Sequence, residues 1–358
     1  VIPKIIFTYW EGEQLSELHY FTIYSLHKYN PELDIIIYTD EKPKNIFREW
    51  DTNEHLTNIN KKIELSKLIE INSQKISIQP INFQKNYNFD NNISIIHKAD
   101  FIRIAKLYEH GGIWFDMDIL FIKPIPNFFF EEKVDVFIFI YSRIIATGFL
   151  AAFPKANFLE ILYKSSLEII LNKKLINYQQ IGPCLWIEEY NKLDKNKKLN
   201  IKILDNRYVY PFFWNKIDIL FKKSNIIIPK NTFGIHWYNG APQSKIFINN
   251  FDMNNINPNN SLIETLITNI LQNLPNEIEI IQIKFKDANN LEKIQEEYYN
   301  KISSSNNIII VEFIIPKNLL KTKVYSFYKC WINGYCLNNS SKKIPRNINK
   351  IILKKLKI

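Results

Sequence analysis

Glycine is scarce in this chain: eight in 358 residues, at positions 12, 111, 112, 148, 182, 234, 240 and 334. A chain so poor in glycine keeps it mainly where backbone geometry excludes a side chain, so these positions mark places to follow. Cysteine is scarcer. Cys184, Cys330 and Cys336 lack the spacing of a zinc site and are too few for a disulfide framework, which excludes small secreted scaffolds and favours a reducing compartment. They are expected to be packing residues. No run of about 18 apolar residues exists and no apolar signal core follows Val1. The expectation is therefore a soluble, cytoplasmic protein, with an anchor upstream of Val1 left open because the first residue is not methionine.

Acidic residues are missing from one long stretch. Residues 317–358 hold 11 Lys and Arg and no Asp or Glu, so the rest of the chain carries 35 bases against 36 acids. The net charge of +10 thus belongs to the tail, and the near-neutral body excludes a specific nucleic-acid surface there. In the tail Lys342, Lys343, Arg346, Lys350, Lys354, Lys355 and Lys357 alternate with Ile351, Ile352, Leu353 and Leu356. That mixture suits a solvated helix, and equally an anionic membrane or a polyanion.

What is present is enough for a large core: 46% hydrophobic and 14% aromatic residues. Residues 2–9 read as a buried strand, 15–29 as an amphipathic helix stopped by Asn30-Pro31, and 33–38 as a second strand, the opening of a layered α/β domain. Residues 46–90 are polar and weakly helical, as in a peripheral insertion. A strong helix over 95–110 ends at Gly111-Gly112. Strands follow at 113–115, 119–122, 134–140 and 149–153, a helix at 158–171, and closing strands at 209–214 and 232–238. The turn-rich segment 252–260 divides a domain of residues 1–252 from an α/β extension, residues 261–358, with a strand, helix and strand at 278–285, 291–302 and 308–314 and the basic tail.

The chemistry concentrates between His97 and Asp118. Asp100 and Arg103 are three apart on the helix and share a face; Asp116 and Asp118 are two apart in extended chain, so both carboxylates point one way. Two acids in one spot repel unless a cation neutralises them, and hard oxygen ligands suit Mg²⁺ or Mn²⁺ bridging to phosphate. Asp-x-Asp alone is a weak signal. An acidic pair after a glycine-capped helix with Asp and Arg at i and i+3 is a rarer one.

This segment resembles the signature of glycosyltransferase family 32, the sugar-binding-region family containing a DXD motif, which includes the Och1-like mannosyltransferases and more distantly resembles the clostridial glucosylating toxins. The opening through Tyr9, Trp10 and Gly12 is similar to the family's first strand, Gln180-Ile-Gly-Pro183 to a later Gly-Pro element, and Gly234-Ile-His-Trp-Tyr-Asn-Gly240 to its closing His motif, although Gly240-Ala-Pro-Gln-Ser departs from the Ser-Trp that usually follows. The likeness spans roughly residues 1 to 245 and implies a GT-A fold, an α/β domain whose Rossmann-like mixed sheet is flanked by helices. It implies Tyr9 and Trp10 beside the nucleotide, Asp100 and Arg103 on the donor-sugar hydroxyls or the ribose, Gly182 in the donor site, Asp116 and Asp118 on the metal, and His236 as a third metal ligand or a diphosphate ligand. Asp100, Arg103, Asp116 and Asp118 are then the catalytic candidates. The implied activity is retaining, metal-dependent transfer of a hexose or N-acetylhexosamine from a nucleotide sugar, a UDP-sugar favoured over GDP-mannose, to a glycan or glycoprotein acceptor. Two other readings stay open: a nucleotidyltransferase making sugar nucleotides, which lacks its glycine-rich basic loop near Thr8 to Leu15, and an inactive module binding polyanions. Trp10 and His236 also read as core residues, Arg103 as a surface ion pair, and His97 and His110 as structural.

Overall fold

The computed structural model describes residues 1–41, 61–141, 143–172, 177, 179–194, 200–222, 228–273, 278–284 and 308–314. The residues form two compact units, 1–268 and 269–358. The segment 252–260 lies inside the first of them.

The first unit opens with β1 (Ile5–Tyr9) and a short β2 (Gln14–Ser16), followed by α1 (Glu17–Tyr29). Ser16 caps α1 by accepting from the His19 N–H, and buried Asn30 ends it, donating to Leu26 O and accepting from Ile125 N–H. Next come β3 (Asp34–Asp40), β4 (Lys62–Glu64) and β5 (Ile76–Ile81). A short α2 (Phe83–Tyr87) precedes α3 (Ile95–His110), where Ser94 caps the start and Gly111, at φ 66, the end. A Cβ on Gly111 would lie 2.5 Å from Pro154 Cδ, so both conformation and space require glycine there. Then follow β6 (Gly112–Phe115), β7 (Ile119–Phe121), α4 (Phe128–Glu131), β8 (Val136–Tyr141), β9 (Ile144–Ala152) and α5 (Asn157–Leu171). The remainder is α6 (Pro183–Lys192), β10 (Ile201–Leu204), β11 (Gly234–His236), α7 (Pro242–Asn250) and α8 (Leu262–Leu271).

Seven strands make one mixed sheet in the order β10-β8-β9-β6-β1-β3-β5. Its strands are parallel except β9, which runs antiparallel between β6 and β8. Side chains alternate across it. Phe7 and Trp114 join one apolar layer with Phe101, Ile104 and Leu107 of α3, Leu159 and Leu162 of α5 and Trp186 of α6. Phe115, one residue on and therefore on the other face, meets Phe121 of β7, against which α1 packs. The expected mixed α/β class with flanking helices is thus what the chain adopts.

Four local expectations are corrected. Residues 62–87 are not mainly helical, since β5 is the edge strand of the main sheet, a position where Pro80 is tolerated because an edge needs only one set of partners. Residues 119–122 and 232–238 do not continue that sheet; β7 and β11 form their own antiparallel pair. Residues 209–214 are no strand: a 3-10 turn at Asn206–Tyr208 and Pro211, which has no N–H to donate, keep the segment irregular. Cys184 is exposed instead of packed.

In the second unit β12 (Ile278–Lys284) and β13 (Ile308–Ile314) pair in parallel, residue for residue from Ile278 and Ile308. The helix expected at 291–302 and the tail at 317–358, with Cys330 and Cys336, lie outside the described residues. Among the described residues no helix is long and apolar enough to cross a membrane.

Candidate active site

Five parts of the chain end at one place. The C-terminal ends of β1 and β6, the start of β9, the first half of α3 and the end of β11 surround a cleft of about 230 Å³. Ligands of open α/β sheets generally bind at this edge, because chain reversals there leave loops and helix ends facing outward.

One corner of the cleft is acidic. Asp116 follows the last residue of β6, and Asp118 lies in the turn before β7, while His236 arrives on β11 because that strand pairs with β7 in the register His236 opposite Ile119. Donor atoms of Asp116, Asp118 and His236 all lie within 4.8 Å of one another. His236 Nε2 is 3.1 Å from Asp118 Oδ1 and 3.8 Å from Asp116 Oδ2. The Asn239 N–H donates to Asp118 Oδ2 at 2.7 Å and the Trp237 N–H to the Asp118 carbonyl at 2.8 Å, so the turn is held by the segment that carries the histidine. Burial works to lower His236, but Asp118 and Asp116 outweigh it and push the imidazole up to about 9. Burial likewise works to raise Asp116; Arg103 and the His236 and Trp114 hydrogen bonds prevail and hold it below the usual carboxylate range.

The residues fit a divalent cation. Two carboxylate oxygens and one imidazole nitrogen are a donor set that Mn²⁺ and Mg²⁺ accept. Gly148, whose carbonyl accepts from the Asp116 N–H at 2.7 Å, adds a steric sign: a Cβ there would lie 3.0 Å from both Asp116 Oδ2 and His236 Nε2. The chain therefore keeps bare backbone where the three donors converge. Charge agrees, since with His236 neutral the carboxylates of Asp100, Asp116 and Asp118 face the single guanidinium of Arg103, leaving a deficit of two.

Arg103 ties the acidic corner to α3. Its guanidinium donates to Asp100 Oδ1 at 2.6 Å and to Asp116 Oδ1 at 2.8 Å, and lies 4.8 Å from the centre of the Trp114 ring, whose own N–H donates to Asp116. The ion pair expected as the bland role for Arg103 exists, but it is buried and spans the cleft floor. Asp100 is 5% exposed; burial pushes its carboxyl up to about 6, with Arg103 opposing and Asp116 adding to the push. Gly182 stands against it, at the start of α6 with Pro183 in the first turn. A Cβ on Gly182 would fall 2.3 Å from Asp100 Oδ2.

The opposite corner is aromatic. Trp10 lines the cleft yet is 7% exposed, tilted over His19 at 4.7 Å, with its indole N–H donating to the Gln14 carbonyl. His19 in turn meets Trp237 at 5.0 Å, and burial depresses its imidazole to about 3, against the pull of Asp118. Tyr9 also lines the cleft, its hydroxyl donating to Asp40 Oδ1 at 2.7 Å.

Several participants carry no motif. Lys98, 3% exposed, pairs with Glu11 at 3.2 Å and Asp40 at 2.9 Å, joining α3 to the ends of β1 and β3. Tyr210 and Tyr238 flank the His236 ring at 5.5 and 4.2 Å. Gly148 was visible only as a rare glycine. His97, by contrast, is structural, bonding Ser94 and the Asn177 carbonyl.

Residues 16–135 match the family described as glycosyltransferase sugar-binding region containing DXD motif. The matched segment includes Asp100, Arg103, Asp116 and Asp118; Trp10, Gly182 and His236 lie beyond it. No curated protein matches the chain. Among solved structures it is similar to the PaToxG glycosyltransferase, at 15% identity and TM-score 0.38 over 56% of this chain and 73% of that one. It is similar to the galactosyltransferase LgtC in complex with donor and acceptor sugar analogs, at 11% identity and TM-score 0.37 over 69% and 95%. It also resembles the glycosyltransferase GlyE of Streptococcus pneumoniae TIGR4, at 10% identity and TM-score 0.39 over 88% and 76%. With every TM-score below 0.5, these three likenesses stay coarse.

Proposed function

We propose, from the premise that residues 16–135 are a glycosyltransferase sugar-binding region, that this chain is a metal-dependent, retaining glycosyltransferase using a nucleotide-sugar donor. The observation that carries the reading is the convergence of Asp116, Asp118 and His236 on one point of the cleft, with Gly148 bare beside them. These three residues would hold Mn²⁺ or Mg²⁺, and the bound cation would offset the charge gathering on the departing nucleoside diphosphate. Arg103 keeps the carboxylates of Asp100 and Asp116 in place, Gly182 makes room for the Asp100 carboxylate, and Asp100 accepts hydrogen bonds from donor-sugar hydroxyls in the cleft it lines. Tyr9 and Trp10 flank the nucleoside at the aromatic corner.

Retention is what the family resemblance implies, and the way the carboxylates of the cleft are committed supports a front-face route to it. Asp116 and Asp118 face the metal position, Asp100 is bonded to Arg103 and Glu11 is paired with Lys98, so none is left for a covalent sugar intermediate. The acceptor hydroxyl then attacks from the face the diphosphate leaves. A UDP-sugar carrying a hexose or N-acetylhexosamine is the preferred donor, a glycan or glycoprotein the acceptor, and the cytoplasm the compartment. The basic tail, by composition alone, serves to hold the enzyme near an anionic membrane or polyanion.

The test is hydrolysis of a panel of UDP- and GDP-sugars in Mn²⁺, Mg²⁺ and EDTA. At least one UDP-sugar is expected to be cleaved, with the rate lost in EDTA. Cleavage of none in either metal removes the transferase reading; equal rates in EDTA remove the metal.

A further inference from the structure

One surface beside the cleft is left unexplained by donor chemistry. From Tyr210, 5% exposed and 5.5 Å from the His236 ring, the chain turns outward and reaches Phe213 and Trp214, which are 36% and 63% exposed. Three residues span at most about 11 Å, so Phe213 stays within that reach of Tyr210. Phe213 is stacked on Tyr141 at the end of β8, ring centres 4.5 Å apart and planes 28° from parallel.

A second tyrosine borders the histidine. Tyr238 lines the cleft and meets His236 at 4.2 Å. Tyr238 sits at φ 49, a left-handed conformation that an aromatic residue keeps only where its surroundings enforce it. Segment 210–214 and the stack of Phe213 on Tyr141 therefore connect the histidine of the acidic corner to one outward-facing aromatic shelf. Arg143, Asn215 and Lys216, all exposed, edge it with hydrogen-bond donors.

Exposed stacked rings next to a polar cleft are costly in water unless something covers them during use. A pyranose has the matching shape and chemistry, with a flat C–H face that stacks on an aromatic ring and a rim of hydroxyls that meets polar donors. We infer that Tyr141, Phe213 and Trp214 form the acceptor subsite of this chain and that the acceptor is a saccharide, its ring on the shelf and its reacting hydroxyl toward Asp116 and Asp118. This rests on the transferase reading above. A peptide acceptor is the competing outcome.

The full chain, with Mn²⁺ and the UDP-sugar it cleaves fastest, is offered lactose, cellobiose, chitobiose and mannobiose, and separately a set of Ser-, Thr-, Tyr- and Arg-containing peptides. Transfer and hydrolysis are measured together for the wild type, Phe213→Ala, Trp214→Ala and Trp214→Phe. At least one disaccharide is expected to be glycosylated, with its KM raised roughly tenfold by either alanine and partly restored in Trp214→Phe, while the donor KM stays put. Unchanged saccharide KM in both alanine variants, or labelling of peptides and no saccharide, overturns the inference. If the wild type cleaves no nucleotide sugar, the transferase reading falls by itself. The shelf is then judged by saturation-transfer NMR with the same disaccharides, and binding that is absent, or unchanged in Trp214→Ala, overturns it.

Discussion

The two corners of the cleft are built on opposite principles. At the acidic corner Asp116, Asp118 and His236 are gathered against a desolvation cost that their mutual attraction and Arg103 offset, and a bare glycine keeps the meeting point clear. At the aromatic corner Trp10, His19 and Trp237 pack tilted and edge-on in a nearly dry cluster that any domain core would welcome. The difference separates two uses of burial: the first corner gathers ionisable groups in the arrangement a cation needs, whereas the second supports the fold and lends the cleft a wall.

The sharpest break is Asp116→Ala with Asp118→Ala. Transfer and donor cleavage should fall by about a thousandfold or more, because the carboxylates act where charge develops in the transition state. The melting temperature should fall only modestly: Arg103, Trp114 and the Asn239 N–H lose acceptors and His236 loses its counter-charges, while Arg103 keeps Asp100. Differential scanning calorimetry beside a turnover assay checks both, and a double variant that turns over like the wild type removes the acidic corner from the mechanism.

Trp10→Ala should invert that pattern. Truncating a buried tryptophan costs about 3–5 kcal/mol of stability, and losing a stacking surface weakens a bound nucleoside diphosphate by about 1–3 kcal/mol. Calorimetric titration with UDP separates the two. Full UDP affinity in a destabilised variant would make Trp10 a core residue alone.

Gly148→Ala is a gentler probe of the acidic corner. One methyl group 3.0 Å from Asp116 and His236 should displace a ligand and cut Mn²⁺ affinity roughly 10–100-fold, as disturbances around a metal site do. Manganese titration followed by EPR measures it, and wild-type affinity would mean that the three donors are not where the metal binds.

The gentlest change per step is a pH slope. His236 is raised to about 9 from 6.5, so its protonated form stabilises the metal-free fold fully below 6.5, a contribution lost as pH rises through about 9. A metal ligand must be neutral, so Mn²⁺ competes with that proton and its affinity should fall as pH drops below about 9, by up to tenfold per unit. The aromatic corner predicts no such slope, because His19, held near 3, stays neutral throughout. Equal Mn²⁺ affinity at pH 6 and 8 would place His236 outside the ligand set.

Much of this was present in the order of residues. Helix α3, its glycine stop, the short strand β6 and the pair Asp116 and Asp118 are local features: apolar spacing, a left-handed cap and the alternation of extended chain operate over a few residues. The scarcity of glycine pointed to Gly148 before any reason for it was visible. Tertiary structure alone decided the rest. That β7 and β11 leave the main sheet and pair with each other is what brings His236 to the aspartates, across more than a hundred residues. Likewise, only folding joins Lys98 to Glu11 and Asp40, sets Gly182 against Asp100, and turns residues 210–214 outward instead of into a strand. Spacing along the chain encodes what one helix or strand presents on a face, while the meeting of distant segments depends on which sheet edges pair and how the core packs, and those are properties of the whole domain.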